Sequence, residues 1–244
     1  MLHPLQSEKR RRIYWDIYNK RFNKEQKIFL KIIKKFFKGQ KSRILETFDV
    51  GKSFKTKDII DESFNLELEI ELAKKYLLPY LESVLVEAGV ATLNNANYDF
   101  NFILSTDILS TMDNRADLFA TSINKTTFKQ LKNQFRQSLE AEETLKQLEK
   151  RIYDTYGKIS KGRALTIAKT EIQVANQTGI HEAYKQAQIP IKIWVAVMDS
   201  NTRDTHAMID GQERPMNTPF DNGLMFPGDP SGSASEVVNC RCTN

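Results

Sequence analysis

Apolar residues recur at intervals of three and four along most of the first 190 residues, and the recurrence stops at Pro190. This spacing places apolar side chains on one face of a helix, so it predicts a mainly helical chain. Gly39, Gly89 and Gly157 are predicted to end three of the helices, and Pro79 to bend or break the second. The predicted helices are residues 9–38, 66–88, 107–122, 126–156 and 160–187, the last with Ser160 as its N-cap.

A different pattern begins at Pro190. Residues 191–198 are β-branched and alternating and predict a strand, with Trp194 on a half-buried face. The tail beyond them holds four of the seven prolines and several glycine turns, and a last short strand is predicted near residues 236–239. Residues 91–104, rich in asparagine and aromatic residues, predict a loop or a short strand. The predicted fold class is α+β, with a mainly helical N-terminal region followed by a helical hairpin and a small turn-rich C-terminal module with short β-strands.

The predicted domain boundary lies near residues 122–126. Residues 1–122 would form a helical N-terminal region with a basic first helix, and residues 123–244 would form one continuous domain. The parts predicted for the second domain are helices 126–156 and 160–187 and a strand-and-turn module, 190–244.

Composition excludes several classes of protein. Apolar residues make up 40% of the 244 positions and charged residues 27%, which is enough apolar content for one large core or two ordinary ones. No run approaches the ~18 uninterrupted apolar residues of a membrane span, so we expect neither a transmembrane nor a disordered chain. The N-terminus lacks the apolar segment of a secretory signal, which predicts a protein made and used in a cytosol. Gly51-Lys52-Ser53 has Glu46 where a phosphate-binding loop needs glycine, so that motif is rejected.

Charge is distributed unevenly along the chain. Residues 1–60 contain 17 basic and 6 acidic side chains, whereas residues 61–244 contain 19 and 25. A basic segment of this kind favours a polyanion or an acidic protein surface, because neutralising fixed charge releases counterions. A solvated helix whose lysines only maintain solubility is an equal alternative.

The first predicted helix also carries an aromatic stripe. We predict that Tyr14, Tyr18, Phe22 and Phe29 bind a partner protein, because such a stripe is a liability when exposed. Contact with DNA through residues 1–60 is the alternative, and no membrane contact is expected.

The C-terminal part contains an ordered set of motifs. The sequence RALTIAKTEIQVANQTG lies on a predicted helix, and it is followed by Trp194, DSNTRDTHAMIDG, FPGDP and NCRC. Together these motifs resemble the phage head morphogenesis, or Mu protein F-like, family of minor head proteins, over about residues 125–243. The residues that match the motifs are Arg163, Thr170, Glu171, Trp194, Asp199, Arg203, His206, Gly211, Pro227, Asn239, Cys240 and Cys242.

The resemblance implies a virion component, located in the phage head interior or at the portal vertex and assembled in the host cytoplasm. Its implied partner is the portal protein, with the major capsid or scaffolding protein as further candidates. An influence on DNA packaging or ejection is also implied, and enzymatic activity is not. Some relatives continue past the cysteine motif into a toxin or effector domain, and the end of this chain at Asn244 predicts the plain structural form.

His206, Cys240 and Cys242 form the one set of soft metal ligands in the sequence. Imidazole and thiolates are ligands that zinc prefers, with Asp204, Asp210 or water as the fourth. The favoured alternative is that buried thiols contact Trp194 while His206 is hydrogen-bonded to a backbone carbonyl. A rival function, a small zinc-dependent nuclease or transferase, would use Asp204 with the same three residues.

Structural roles are predicted for the remaining motif residues. Asp199 would cap the turn after the strand, and Arg203 would bind a carboxylate or a carbonyl. Arg163, Thr170 and Glu171 would face the C-terminal module and fix its docking. His181, outside the motif, is expected to be an ordinary surface or interface histidine. The glycines and prolines of the tail, Gly211 and Pro227 among them, are interpreted as turn residues.

Overall fold

The structure is a computed structural model and describes residues 7–47, 63–96, 98 and 101–244. Within them it is mostly helical, with two short strands. The segment Gly51-Lys52-Ser53 lies outside the described residues. The helices are α1 (Glu8–Glu46), α2 (Leu66–Asn95), α3 (Thr106–Glu140), α4 (Leu145–Lys158), α5 (Ala164–Gln186), α6 (Asp204–Ala207) and α7 (Ala234–Val237), with a π-helical turn, Ile159–Arg163, before α5 and strands β1 (Ile191–Ile193) and β2 (Glu213–Pro215).

The predicted helix ends at three glycines are wrong. Helix α1 continues through Gly39 to Glu46, and α2 continues through Pro79 and Gly89 to Asn95. One helical glycine costs only about 1 kcal/mol, which burial of the residues beyond it can offset. Gly89 has another role, because a Cβ there would lie 2.4 Å from the ring of Phe102. Because α2 ends at Asn95, the start of segment 91–104, which was predicted to be a loop or a short strand, is helical.

The predicted helix 126–156 is two helices. Helix α3 runs without interruption from Thr106 to Glu140, and Glu142 then adopts a positive φ of 51°. Helix α4 starts after Thr144, whose backbone N–H donates to the side chain of Gln147. It passes Gly157 and joins α5 through the π-helical turn, so Ser160 is not an N-cap.

Contacts divide the chain into two compact units, each made of separate segments. The first unit is Met1–Phe29, Tyr80–Thr106 and Thr166–Asn244, and the second is Leu30–Pro79 and Asp107–Leu165. The boundary that we predicted near residues 122–126 falls inside α3. The assignment of residues 1–122 and 123–244 to two domains stays a prediction.

Helix α5 lies in the first unit from Thr166 onward, and its apolar side is deeply buried. Its apolar residues Ala168, Ile172, Ala175 and Ile180 are each at most 1% exposed. Helices α2 and α5 approach closely, because a Cβ on Gly179 would lie only 2.2 Å from the carbonyl oxygen of Leu85.

The C-terminal module follows α5. Strands β1 and β2 pair antiparallel, with Lys192 opposite Arg214, and Val195 forms an isolated bridge with Thr243. The predicted strand 191–198 is thus only three residues long. The predicted strand near 236–239 is wrong, because α7 includes residues 236 and 237 and a turn follows it. Trp194 is fully buried rather than half-buried. It shares a core cluster with Ala196, Ile209, Phe220, Leu224, Cys240 and Cys242.

The second unit is held by a buried polar network. Arg43 donates two hydrogen bonds of 2.7 Å to Glu69, which is only 3% exposed. Gln40 bridges Glu69 and Asn124, and it accepts a hydrogen bond from the hydroxyl of Tyr156. This network joins side chains of α1, α2, α3 and α4.

Among the described residues, α2 alone is long and apolar enough to cross a membrane by length and composition. A core helix passes the same test, and Ala73, Leu77, Leu81 and Val84 of α2 are buried.

Candidate functional site

The structure brings together the three soft ligands predicted from sequence. Nδ1 of His206 lies 3.6 Å from Sγ of Cys242 and 3.8 Å from Sγ of Cys240. The three ligand atoms lie within 4.8 Å of one another, and each residue is at most 2% exposed. Helix α6 positions the histidine, and the segment after α7 positions both thiols. We call these three residues the His-Cys-Cys centre.

The imidazole is oriented by a carboxylate. Nε2 of His206 lies 2.8 Å from Oε2 of Glu236 on α7, and the hydroxyl of Thr205 donates to the same oxygen. This geometry corrects the expectation that His206 is bound to a backbone carbonyl. Glu236 was not singled out from the sequence because it lies in none of the quoted motifs.

An aromatic residue packs against the centre. Trp194 meets the ring of His206 edge-on, with 5.0 Å between ring centroids, and meets Phe220 at 5.1 Å. Both cysteines belong to the buried core cluster of Trp194, and their direct contact with its ring stays a prediction. The two thiols share a hydrogen bond, and this bond lowers the pKa of Cys240 and, together with burial, raises the pKa of Cys242.

Polar side chains of α5 hold the segment that carries the cysteines. Nε2 of Gln173 donates to the carbonyl oxygen of Cys242 at 2.6 Å, and Gln177 donates to the hydroxyl of Thr243 at 2.9 Å. Thr170 accepts from the backbone N–H of Asn239 at 3.1 Å. Gln173 and Gln177 are fully buried. The docking role predicted for the α5 motif is therefore carried by Thr170 and by two glutamines that the sequence did not single out.

Helix α1 contacts the same module through its first two turns. Arg12 binds Asp210 and donates to the carbonyl oxygen of Ala196, and Arg11 also pairs with Asp210. The indole of Trp15 donates to the carbonyl oxygen of Arg241 at 3.0 Å. Asp210 is thus engaged by two arginines, which argues against it as the fourth metal ligand.

The remaining motif residues have structural contacts. Asp199 accepts from the backbone N–H of Asn201, as expected of a turn cap, and from both terminal nitrogens of Arg241. These contacts, that with Arg241 above all, lower the pKa of Asp199. Arg203 donates to the carbonyl oxygen of Val238, as predicted. Asp204 is exposed and is not among the grouped metal-ligating residues.

Arg163 does not dock the C-terminal module. Its guanidinium donates to the hydroxyl of Thr127 and the carbonyl of Ile123 on α3, within the second unit. Glu171 and Pro227 are buried in the first unit. Gly211 has φ +79°, and a Cβ there would lie 2.9 Å from the guanidinium carbon of Arg11.

The expectation for His181 is wrong. This residue is 3% exposed, and its ring stacks near Phe226 with 4.6 Å between centroids. Burial, with smaller contributions from Lys185 and Lys192, lowers the pKa of His181 to about 3. The sequence did not indicate that His181 is buried, because histidine is polar and apolar spacing does not show that α5 is buried on most sides.

The aromatic stripe of α1 is not an exposed partner surface. Tyr18, Phe22 and Phe29 are at most 4% exposed, and Phe29 stacks on Tyr80 at 5.8 Å within the first unit. Tyr14 is partly buried, and its hydroxyl donates to the carbonyl oxygen of Asn244. This corrects the prediction that the stripe binds another protein, because the chain's own core covers it.

The arginines and lysines of α1 differ in their surroundings. Arg11, Arg12 and Arg43 form internal ion pairs. Seven exposed lysines recur along one side of the helix, and we call them the lysine face: Lys20, Lys24, Lys27, Lys31, Lys34, Lys35 and Lys38.

Comparison with known proteins agrees with the C-terminal motifs. Residues 129–244 match the model of the family described as "Phage Mu protein F like protein". This part of the chain is similar to the phage Mu protein F-like family. The predicted resemblance is thereby confirmed for these residues, and it connects the chain with phage head morphogenesis.

One curated protein is also similar to the chain. It is the "NAD(+)--arginine ADP-ribosyltransferase EFV" of Enterococcus faecalis, 43% identical over 88 residues. The similarity covers 33% of this chain and 18% of the enterococcal protein. No solved structure matches the chain.

Proposed function

We propose that the protein is a minor head protein of a tailed bacteriophage, present in the virion and associated with the portal vertex during head assembly. The match of residues 129–244 to the phage Mu protein F-like family carries this proposal. The portal as partner follows from what the resemblance implies. The major capsid protein and a scaffolding protein are the other candidate partners from the same source.

The surface of α1 supports a protein partner with an acidic face. The lysine face supplies positive charge, and Ile13 and Ile17, one helical turn apart, are 51% and 61% exposed. DNA would be bound by the lysines without the two isoleucines, whereas a protein can bury both kinds of side chain. The apolar contact with a partner would therefore be made by the exposed isoleucines and not by the buried aromatic stripe.

Co-expression with the portal protein of the same phage tests the proposal. We expect a complex on size-exclusion chromatography, weakened by Ile13→Ser with Ile17→Ser and by changing four lysines to glutamine. The four lysines are Lys24, Lys27, Lys31 and Lys34. A matched control changes four exposed lysines of α3 and α4, Lys125, Lys129, Lys146 and Lys150, and should leave the complex intact.

Two outcomes would contradict this assignment. A folded wild-type protein that forms no complex with portal, capsid or scaffolding protein would remove the assembly role. Strong binding to duplex DNA without portal, lost in steep proportion to salt and unaffected by the isoleucine changes, would identify a DNA-binding packaging factor instead.

We further propose that this chain acts without catalysis. The similarity covers only 18% of the enterococcal transferase, so the activity in that protein's name does not by itself extend to this chain. Within the described residues, Asp204 is exposed and outside the His-Cys-Cys centre, so the acid–base group of the rival enzyme is not assembled there. Release of nicotinamide from NAD⁺ by the purified protein, abolished by His206→Asn while the fold is kept, would overturn this part of the proposal.

A further inference from the structure

We propose that His206, Cys240 and Cys242 bind one zinc ion through Nδ1 and the two Sγ atoms, with a water molecule as the fourth ligand. The inference does not depend on the proposed role in the phage head. It concerns how the C-terminal module is held together.

The spacing of the three atoms is the first argument. Zinc binds thiolate sulfur at about 2.3 Å and imidazole nitrogen at about 2.0–2.1 Å, usually with tetrahedral angles. Those values place nitrogen and sulfur about 3.6 Å apart across one tetrahedral edge. The observed separations from Nδ1 are 3.6 Å to Cys242 and 3.8 Å to Cys240. Nδ1 of His206 is therefore already at ligand spacing from both sulfur atoms.

The orientation of the imidazole is the second argument. Glu236 lies 2.8 Å from Nε2, so a neutral His206 that donates its proton to this carboxylate keeps the lone pair of Nδ1 directed at the two thiols. Metal-binding histidines commonly donate their other ring nitrogen to a carboxylate, which fixes the tautomer and strengthens the ligand. Glu236 is thus a positioning residue.

The fourth ligand is assigned by exclusion among the nearby carboxylates. Asp210 is bound by Arg11, Arg12 and the backbone N–H of Ala196. Asp204 is exposed and outside the group of ligand atoms, and Glu236 is occupied by His206. A water molecule remains as the ligand that completes four-coordination.

The position of the centre places the ion between two parts of the C-terminal module. It would link α6 to the segment after α7, two parts of a module whose strands are only three residues long. Such a link supplies folding free energy to a small module, because the unfolded chain does not hold the three ligands together.

Wild-type protein purified with reductant and without chelator provides the first measurement. Native mass spectrometry should show one zinc ion per chain. Replacement by Co²⁺ should give thiolate-to-metal charge-transfer absorption and the visible bands of a tetrahedral site. A folded wild-type protein that neither carries zinc nor takes it up from a chromophoric chelator would overturn the proposal, whatever the variants do.

Variants then assign the ligands. Cys242→Ser and His206→Asn should lose stoichiometric zinc, whereas Glu236→Gln should keep it with about 10- to 100-fold lower affinity. The matched control is Asp204→Asn, which should bind as the wild type does. Loss of zinc in Asp204→Asn, or full affinity in Cys242→Ser, would overturn the ligand assignment.

Discussion

Replacing Gly179 with alanine should separate the two helices that meet at this residue. The new Cβ would lie 2.2 Å from the carbonyl oxygen of Leu85 and 3.1 Å from Cβ of Ala88. Ordinary contact requires more than 3 Å, so α2 and α5 must move apart by about 1 Å or distort. A backbone carbonyl cannot rotate away as a flexible side chain would.

The cost can be estimated from these contacts. Overpacking in a well-packed core costs about 1–3 kcal/mol, and the rigid carbonyl places this case near the upper value. Alanine regains about 1 kcal/mol of helix propensity relative to glycine. The expected net loss is about 2 kcal/mol, which corresponds to a decrease in Tm of about 4–8 °C for a chain of this size.

The assay is thermal unfolding followed by circular dichroism, with Gly157→Ala in α4 as the matched control. A Cβ at Gly157 meets nothing within 4 Å, so this change should raise the stability by about 0.5–1 kcal/mol. Opposite shifts of Tm are therefore expected from the same chemical change. Equal Tm values for Gly179→Ala and the wild type would refute the close-packing argument.

Three further predictions concern charge. First, the pKa of His181 is lowered to about 3 from its ordinary 6.5, so the unfolded state binds an extra proton between these values and stability falls as the pH falls through this range. Urea unfolding should show a loss of about 2 kcal/mol from this group between pH 7 and 5, absent in His181→Leu; the same pH slope in both proteins would contradict it. Second, Arg43→Met leaves the buried Glu69 carboxylate without its cation and should cost about 3 kcal/mol by urea unfolding, more than Glu69→Gln; the opposite order would contradict the ion-pair account. Third, the lysine-to-glutamine changes on α1 should alter Tm by less than about 2 °C, because those side chains are exposed; a larger decrease would place them in the core. The changed residues are Lys24, Lys27, Lys31 and Lys34.

The helices could be predicted from the sequence, but several of their ends could not. Period-three-and-four apolar spacing identifies a buried face, and α1 and α2 follow it closely. Gly39, Pro79 and Gly89 indicated ends because each weakens an isolated helix. Tertiary burial on both sides of these residues outweighs a local cost of a few kcal/mol, and a one-dimensional pattern does not contain that information.

The sequence predicted the ligand residues of the site but not the buried polar residues that hold them in place. His206, Cys240 and Cys242 were found because their residue types are uncommon and chemically distinctive. Gln173 and Gln177 were not found, because periodicity counts apolar residues and these two polar side chains are fully buried where they bind the cysteine segment. Their signal in the sequence is their presence in the motif helix.

The surface that covers the aromatic stripe of α1 could not be predicted from the sequence. An apolar stripe requires a surface to cover it, but its spacing does not say whether that surface belongs to the same chain. Here the chain's own core buries Phe22 and Phe29. The charge pattern had a similar ambiguity, because internal carboxylates partner several arginines of α1, whereas the lysines remain exposed.

Quantitative mass spectrometry of purified phage heads tests the central claim most directly. Particles produced from the genome that encodes this chain would be separated into heads and tails, and the copy number would be counted against the portal protein. We expect the protein in the head fraction, in a fixed ratio to the portal and retained through high-salt washing. Its absence from heads, with abundant protein in the host lysate, would contradict the assignment as a phage head protein.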